Sequence, residues 1–202
     1  GKNVLYITLE MAEEKIAERI DANLLNVNIQ NITDLPKAMF EKKVHKLKKK
    51  TQGELIIKEY PTASAHSGHF KALLNELSLK KSFKPDIIFI DYLNICASSR
   101  YRANSNVNSY SYIKAIAEEL RGLAVEANLP IVSATQTTRS GYGSSDVDLT
   151  DTSESFGLPA TADLMFALIS TEELEGLNQI MVKQLKNRYN DPTIYKRFVI
   201  GI

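Results

Sequence analysis

The run Ile87-Ile88-Phe89-Ile90, closed by Asp91 and Tyr92, constrains this chain more than any other stretch. Four consecutive apolar residues that deliver an acid describe a strand buried in a parallel sheet, with the carboxylate carried to the edge where α/β sheets bind ligands. A second run, Tyr6 to Met11, is β-rich in the same way and ends in a carboxylate, Glu10, just before a helical pattern. Two such strand ends side by side have the parts of a magnesium-nucleotide site, one acid holding the metal and its neighbour orienting the attacking water.

The 202 residues are 44% hydrophobic and 24% charged, which fits one α/β domain with a sizeable core. Net charge is +1, so contact with a nucleic acid has to come from local basic loops rather than from bulk charge. The single cysteine, Cys96, allows neither an internal disulfide framework nor a zinc cluster and suits a reducing compartment. No apolar stretch of about 18 residues is present to span a membrane, and the expected location is the cytoplasm.

Hydrophobic spacing organises the rest. Val4 to Leu9 reads as a strand, and Met11 to Leu25 as a helix with Ile16, Ile20 and Leu24 on one face. Asn31 to Asp34 offers capping side chains for a half-exposed helix over Leu35 to Lys50, whose lysines Lys46 and Lys48 to Lys50 fit a solvated helix C-terminus. Glu54 to Tyr60 is a short strand, and Ser67 to Leu79 a helix with the stripe Phe70, Leu73, Leu74 and Leu77. His66 and His69 are spaced like metal ligands, but no acid or thiol completes a set, and an exposed helix start is the plainer reading.

After the Asp91 strand come a polar connection, Cys96 to Ser109, and an amphipathic helix, Tyr110 to Ala127. Leu129 to Thr135 is the next buried strand and leads into Gln136-Thr137-Thr138-Arg139, so a third strand end carries side chains fit for chemistry. Ser140 to Asp151 has almost no large apolar side chain and is expected to be a mobile loop outside the core. Asp163 to Ser170, Asn178 to Leu185 and Tyr195 to Ile202 read as strands, the last two joined through Asn190-Asp191-Pro192. The predicted class is α/β, a mostly parallel sheet flanked by helices with an antiparallel C-terminal edge.

Five stretches, in order, resemble the motifs of the RecA-like motor domain of DnaB-type hexameric replicative helicases, nearest in kind to those of T-even bacteriophages. They are YITLEM, IIFIDYLNI, NLPIVSATQTTR, ESFGLPATADLMFAL and KQLKNRYNDP, and they extend over nearly the whole chain. The resemblance implies a RecA-like ATPase fold and an ATP-dependent DNA helicase that uses ATP or another nucleoside triphosphate with Mg2+. It makes Glu10 the catalytic base, Asp91 the Walker B acid for magnesium, and Gln136 the residue coupling nucleotide to DNA. Lys186 and Arg188 would reach a nucleotide across a subunit boundary, and Arg100, Arg102 and Arg139 would contact single-stranded DNA. The implied partners are a homo-hexamer of the parent protein, a primase and a helicase loader, in the host cytoplasm if the source is a phage, without a membrane.

One departure stands out: such motors need a Gly-rich loop ending Gly-Lys-Ser/Thr, and no such sequence occurs here. Residues 1–202 are therefore expected to be a partial RecA-like domain, lacking the phosphate-loop segment and the N-terminal domain, inactive alone and with an apolar patch or sheet edge left uncovered. A RecA-like recombinase or nucleotide-switch adaptor assembling on DNA would share the core fold, and the YITLEM and KNR segments are what favour the helicase. A small-molecule α/β enzyme would need a nucleophile and base near the strand ends. Tyr142 would stack on a base or anchor its loop.

Overall fold

The computed structural model describes residues 1–102, 106–137, 147–149 and 157–202. They divide into two compact units, one formed by Gly1–Ala97 and Gly122–Ala134, the other by Ser98–Arg121 and Thr135–Ile202. Arg139, Tyr142 and the glycines beside it lie outside the described residues.

The first unit is built on a four-stranded parallel sheet ordered β2-β1-β3-β4, with β1 Val4–Thr8, β2 Leu55–Glu59, β3 Ile87–Asp91 and β4 Ile131–Ser133. Register sets Leu5 beside Ile88 and Ile7 beside Ile90, and these four side chains are at most 2% exposed. Alternation puts Val4, Tyr6, Ile87 and Phe89 on the opposite face, where they are half-buried and Tyr6 stacks on Phe89 with ring centroids 6.2 Å apart. The apolar run of β3 is thus fully buried on one face only. Thr8 and Asp91 end their strands side by side in the register.

Helices follow the strands. α1 (Glu13–Leu25) buries Ile16, Ala22 and Leu25, whereas Leu24, expected on the apolar face, is 52% exposed because burial shifts round the helix in its last turn. Asn31 to Asp34 do not cap the next long helix. A short helix, α2 (Ile29–Ile32), takes Asn28 as its cap, and Pro36 leads into α3 (Lys37–Lys50), which buries no residue and ends on Lys48 to Lys50. α4 (Ser67–Lys81) buries Phe70, Leu73 and Leu77 as the stripe predicts. His66 and His69 form its capping box, His66 Nδ1 accepting from the Gly68 amide at 3.0 Å and His69 Nδ1 from the His66 amide at 3.2 Å. α5 (Ser109–Ala127) crosses the division between the units and buries Ile113, Ile116, Leu120 and Leu123.

In the second unit β5 (Leu164–Ile169), β6 (Gln179–Asn187) and β7 (Arg197–Gly201) pair antiparallel in the order β5-β6-β7. They are the expected antiparallel C-terminal strands, hydrogen-bonded as a sheet of their own. Two short helices, α6 (Gly157–Thr161) and α7 (Glu172–Gly176), flank β5 in sequence. One sheet face packs Ala167 and Ile169 with Met181, Leu185 and Val147. Val147 therefore corrects the expectation that the segment from Ser140 to Asp151 stays out of the core; it is 5% exposed, and its neighbour Asp148 accepts from the buried Lys183 at 2.7 Å. The other face leaves Phe166, Leu168 and Phe198 exposed.

The parallel core carries the stability of the first unit. Ile88→Ala is expected to lower unfolding free energy by about 2–5 kcal/mol and Leu79→Ala, at an exposed site, by no more than about 0.5 kcal/mol. Urea denaturation of both variants checks this, and equal losses would contradict the assignment of the core.

Candidate functional site: two strand-end acids and a cationic strand end

The carboxyl edge of the parallel sheet is built by hydrogen bonds that continue beyond the strands. The Leu9 amide donates to the Asp91 carbonyl at 3.0 Å, and the Tyr60 amide to the Thr8 carbonyl at 2.9 Å. Thr8, wholly buried, closes the turn that follows β1: its hydroxyl donates to the Met11 carbonyl at 2.8 Å and accepts from the Met11 amide at 3.1 Å. Thr62 Oγ1 donates to the Leu9 carbonyl at 2.6 Å. Glu10 sits in this tethered turn with both neighbours held and its own side chain exposed.

Asp91 is half-buried at the end of β3. The Tyr6 hydroxyl donates to its Oδ2 at 2.8 Å, so one carboxylate oxygen is fixed in direction. Burial, then the hydrogen bond and charge of Asp91, push the Tyr6 phenol up to about 12, opposed by the Arg19 cation. No cluster of three or more His, Cys, Asp or Glu side chains able to cage a metal occurs among the described residues. That donor set suits magnesium held by one carboxylate, waters and substrate phosphates rather than by a protein cage. Asn94 Oδ1, just past β3, and Thr135 Oγ1, just past β4, are buried without a hydrogen-bond partner.

Gln136 lies three residues beyond the end of β4 and is exposed. Arg100 and Arg102 follow the Asp91 strand in the second unit. The loop carrying Arg100 is wrapped on α5: Glu119 accepts from Ser98 Oγ at 2.6 Å and from the Ser99 amide at 2.9 Å, and Arg100 Nη1 meets Glu118 Oε2 at 2.5 Å. Arg100 is therefore charge-paired, and Arg102 is exposed.

The last group forms where β6 ends. Asp163, just before β5, accepts from Arg188 Nη1 on Oδ1 at 2.9 Å and from Arg121 Nη1 on Oδ2 at 2.8 Å. Arg188 Nη2 also donates to the Ala160 carbonyl at 2.6 Å, Arg121 Nη1 to the Thr161 carbonyl at 2.9 Å, and Lys186 Nζ to the carbonyls of Pro159 and Ala160. Three cations thus meet one acid and the carbonyl end of α6. Arg121 first, and Arg188 with it, hold the Asp163 carboxyl below its ordinary value, while burial and the neighbouring Arg188 lower Lys186.

A family model described as DnaB-like helicase C terminal domain matches residues 1–196. The chain belongs to the DnaB-like helicase C-terminal domain family. A DnaB-like replicative helicase of Enterobacteria phage T4 is 50% identical over 205 residues, covering 100% of this chain and 43% of that protein. A probable plasmid replicative DNA helicase of Chlamydia psittaci is 29% identical over 94% of this chain and 41% of its own length. The chain accordingly spans less than half the length of these curated relatives. Two solved structures match 98% of it. One is a DnaB-like replicative helicase studied with its primase interactions, at TM-score 0.76 and 19% identity over 47% of that chain. The other is an isolated ATPase domain, at TM-score 0.75 and 20% identity over 70% of that chain. At those identities they bear on fold alone.

For this DnaB-like domain the structure brings Glu10 and Asp91 to one sheet edge, and Lys186 and Arg188 to one cluster around α6. Tyr6, Thr8, Thr62, Arg121 and Asp163 are functional positions that the sequence does not single out. Tyr6 and Thr8 carry a signal, since they share strand parity with Asp91 across an in-register parallel pair; the others are joined over distances along the chain that no local pattern reports. Asp91→Asn is expected to lower the Tyr6 phenol from about 12 without returning it to 10.0, because burial, the larger cause, remains. Ultraviolet titration of the phenols, with Tyr6→Phe to assign the signal, checks this; an unmoved transition would contradict the contact.

Proposed function

We propose that this chain forms most of the motor half of a ring-shaped replicative helicase that couples ATP hydrolysis to movement along single-stranded DNA and to duplex unwinding. The observation that carries the reading is the pairing of two strand-end carboxylates, Glu10 and Asp91, on adjacent parallel strands of a DnaB-like domain. With one oxygen of Asp91 fixed by Tyr6, the other serves Mg2+ or its water. The tethered turn holds Glu10 while leaving its exposed carboxylate to orient and deprotonate water attacking the γ-phosphate. Bound magnesium and ATP supply the phosphoryl group and much of the charge stabilisation.

Lys186 and Arg188 act on a nucleotide held by the neighbouring protomer of a homo-hexamer, where a guanidinium of fixed charge stabilises the transition state. Gln136 links the γ-phosphate to the DNA loops, and Arg100, Arg102 and Arg139 contact phosphates of the strand without reading sequence. Arg100 releases Glu118 in doing so. The Gly-Lys-Ser/Thr loop missing from these 202 residues belongs, on this reading, to the rest of the RecA-like domain in the whole protein, together with an N-terminal domain; the chain alone is inactive. Primase and a loader are the proposed partners, in the host cytoplasm. Among the described residues no helix is long and apolar enough to cross a membrane.

The test uses the whole protein. ATP turnover should rise with single-stranded DNA and fall by about 10³-fold or more in both Glu10→Gln and Arg188→Ala. Turnover indifferent to DNA and to Arg188 would overturn the helicase reading in favour of a nucleotide switch.

A further inference from the structure

Asp163 has two arms that reach different parts of the second unit. Its Oδ1 holds Arg188 at the end of β6, and its Oδ2 holds Arg121 on α5. Arg121 lies less than one helical turn from Glu118 and Glu119, the two acids that hold Arg100 and the amides and hydroxyl of the Ser98–Arg100 loop. One turn of α5 therefore carries, on three side chains, both the loop that follows the Asp91 strand and the acid that aims Arg188. Charge favours this arrangement over a chance contact. Arg121, Arg188 and Lys186 are all fixed near the α6 carbonyl end, and Asp163 is the one acid ion-paired to this group among the described residues.

Arg188 keeps donors to spare. Nη1 engages Asp163 and Nη2 engages Ala160, each through one of its two N–H groups, out of five donors on the guanidinium. A guanidinium clamped on one side by a carboxylate and a carbonyl, with its side chain 42% exposed, is oriented without being used up.

We propose that Asp163 is the positioning residue of Arg188, and that through Arg121 it ties Arg188 to the α5 turn holding the Ser98–Arg100 loop. Loop displacement by a bound strand then shifts Glu118 and Glu119, the α5 turn and the Arg121–Asp163 pair together, and alters the aim of Arg188. The proposal rests on the reading that Arg188 acts across a subunit boundary. Asp163 itself touches neither nucleotide nor DNA.

Subunit mixing in the whole protein tests it. Asp163→Asn should lower turnover at saturating ATP at least about tenfold, with the KM for ATP changed less than about twofold. Glu10→Gln protomers have no base but an intact Arg188, so reassembling them 1:1 with Asp163→Asn protomers should restore turnover to roughly a quarter of wild type, the share of random boundaries at which an intact base meets an intact finger. Arg188→Ala mixed with Glu10→Gln is the reference and should recover likewise. Recovery with Arg188→Ala but none with Asp163→Asn would overturn the positioning role and leave the trans reading standing. No recovery with either would overturn both. Arg121→Ala should reduce the ratio of DNA-stimulated to basal turnover at least about threefold, with the same thermal midpoint as wild type. An unchanged ratio would overturn the link to α5.

Discussion

The parallel register of β1 on β3 is the constraint on which the rest of the first unit depends. With Leu5 beside Ile88 and Ile7 beside Ile90, packing of four nearly inaccessible side chains leaves no freedom to slide by one residue, because a slip would turn every buried side chain to the other face. The same register brings Thr8 beside Asp91 and lets the Leu9 amide reach the Asp91 carbonyl. Hydrophobic packing thus sets the spacing of the two acids at the sheet's carboxyl edge. Thr8, Thr62 and Tyr6 then fix the turn and the carboxylate with four side-chain hydrogen bonds.

The second unit solves a different problem, how to hold three cations close together beside a short helix. Each finds a carbonyl at the end of α6, where the peptide dipoles favour positive charge, and Asp163 neutralises part of the remainder. Such an arrangement keeps long side chains in one orientation, which an isolated surface ion pair does poorly. Orientation is what a charge that acts on a distant phosphate requires. The buried Lys183 and its partner Asp148 show the same economy on the sheet's packed face, tying residues 147–149 to β6.

Much of this fold is legible in the sequence. The strands at Val4, Ile87, Leu164 and Gln179 announce themselves by β-rich composition, and the α4 stripe by its spacing, because those signals follow from burial of a single face. The ordered motifs point to the family, which the match over residues 1–196 bears out. Short-range chemistry is harder to read. Asn31 to Asp34 look like a cap, yet Asn28 and Pro36 head the two helices, since several side chains compete for the same few amides. Leu24 and Leu25 exchange roles because the last turn of α1 buries a different face. Val147 looks too isolated to join a core and is buried by a sheet formed later in the chain. Asp163 gives no local sign for a plain reason: its partners lie 42 residues before it and 25 after. Tyr6 and Asp91 are 85 residues apart and meet only once the register is set.

If the β1 and β3 strand ends are the reaction centre of a ring motor, nucleotide, metal and a neighbouring subunit must all meet there. A structure of the whole protein with Mg2+, a slowly hydrolysed ATP analogue and single-stranded DNA tests this most directly. The predicted result is the metal beside Asp91, Glu10 facing the γ-phosphate and Arg188 arriving from the adjacent protomer. Nucleotide bound away from that edge, or Arg188 turned from every subunit boundary, would contradict it.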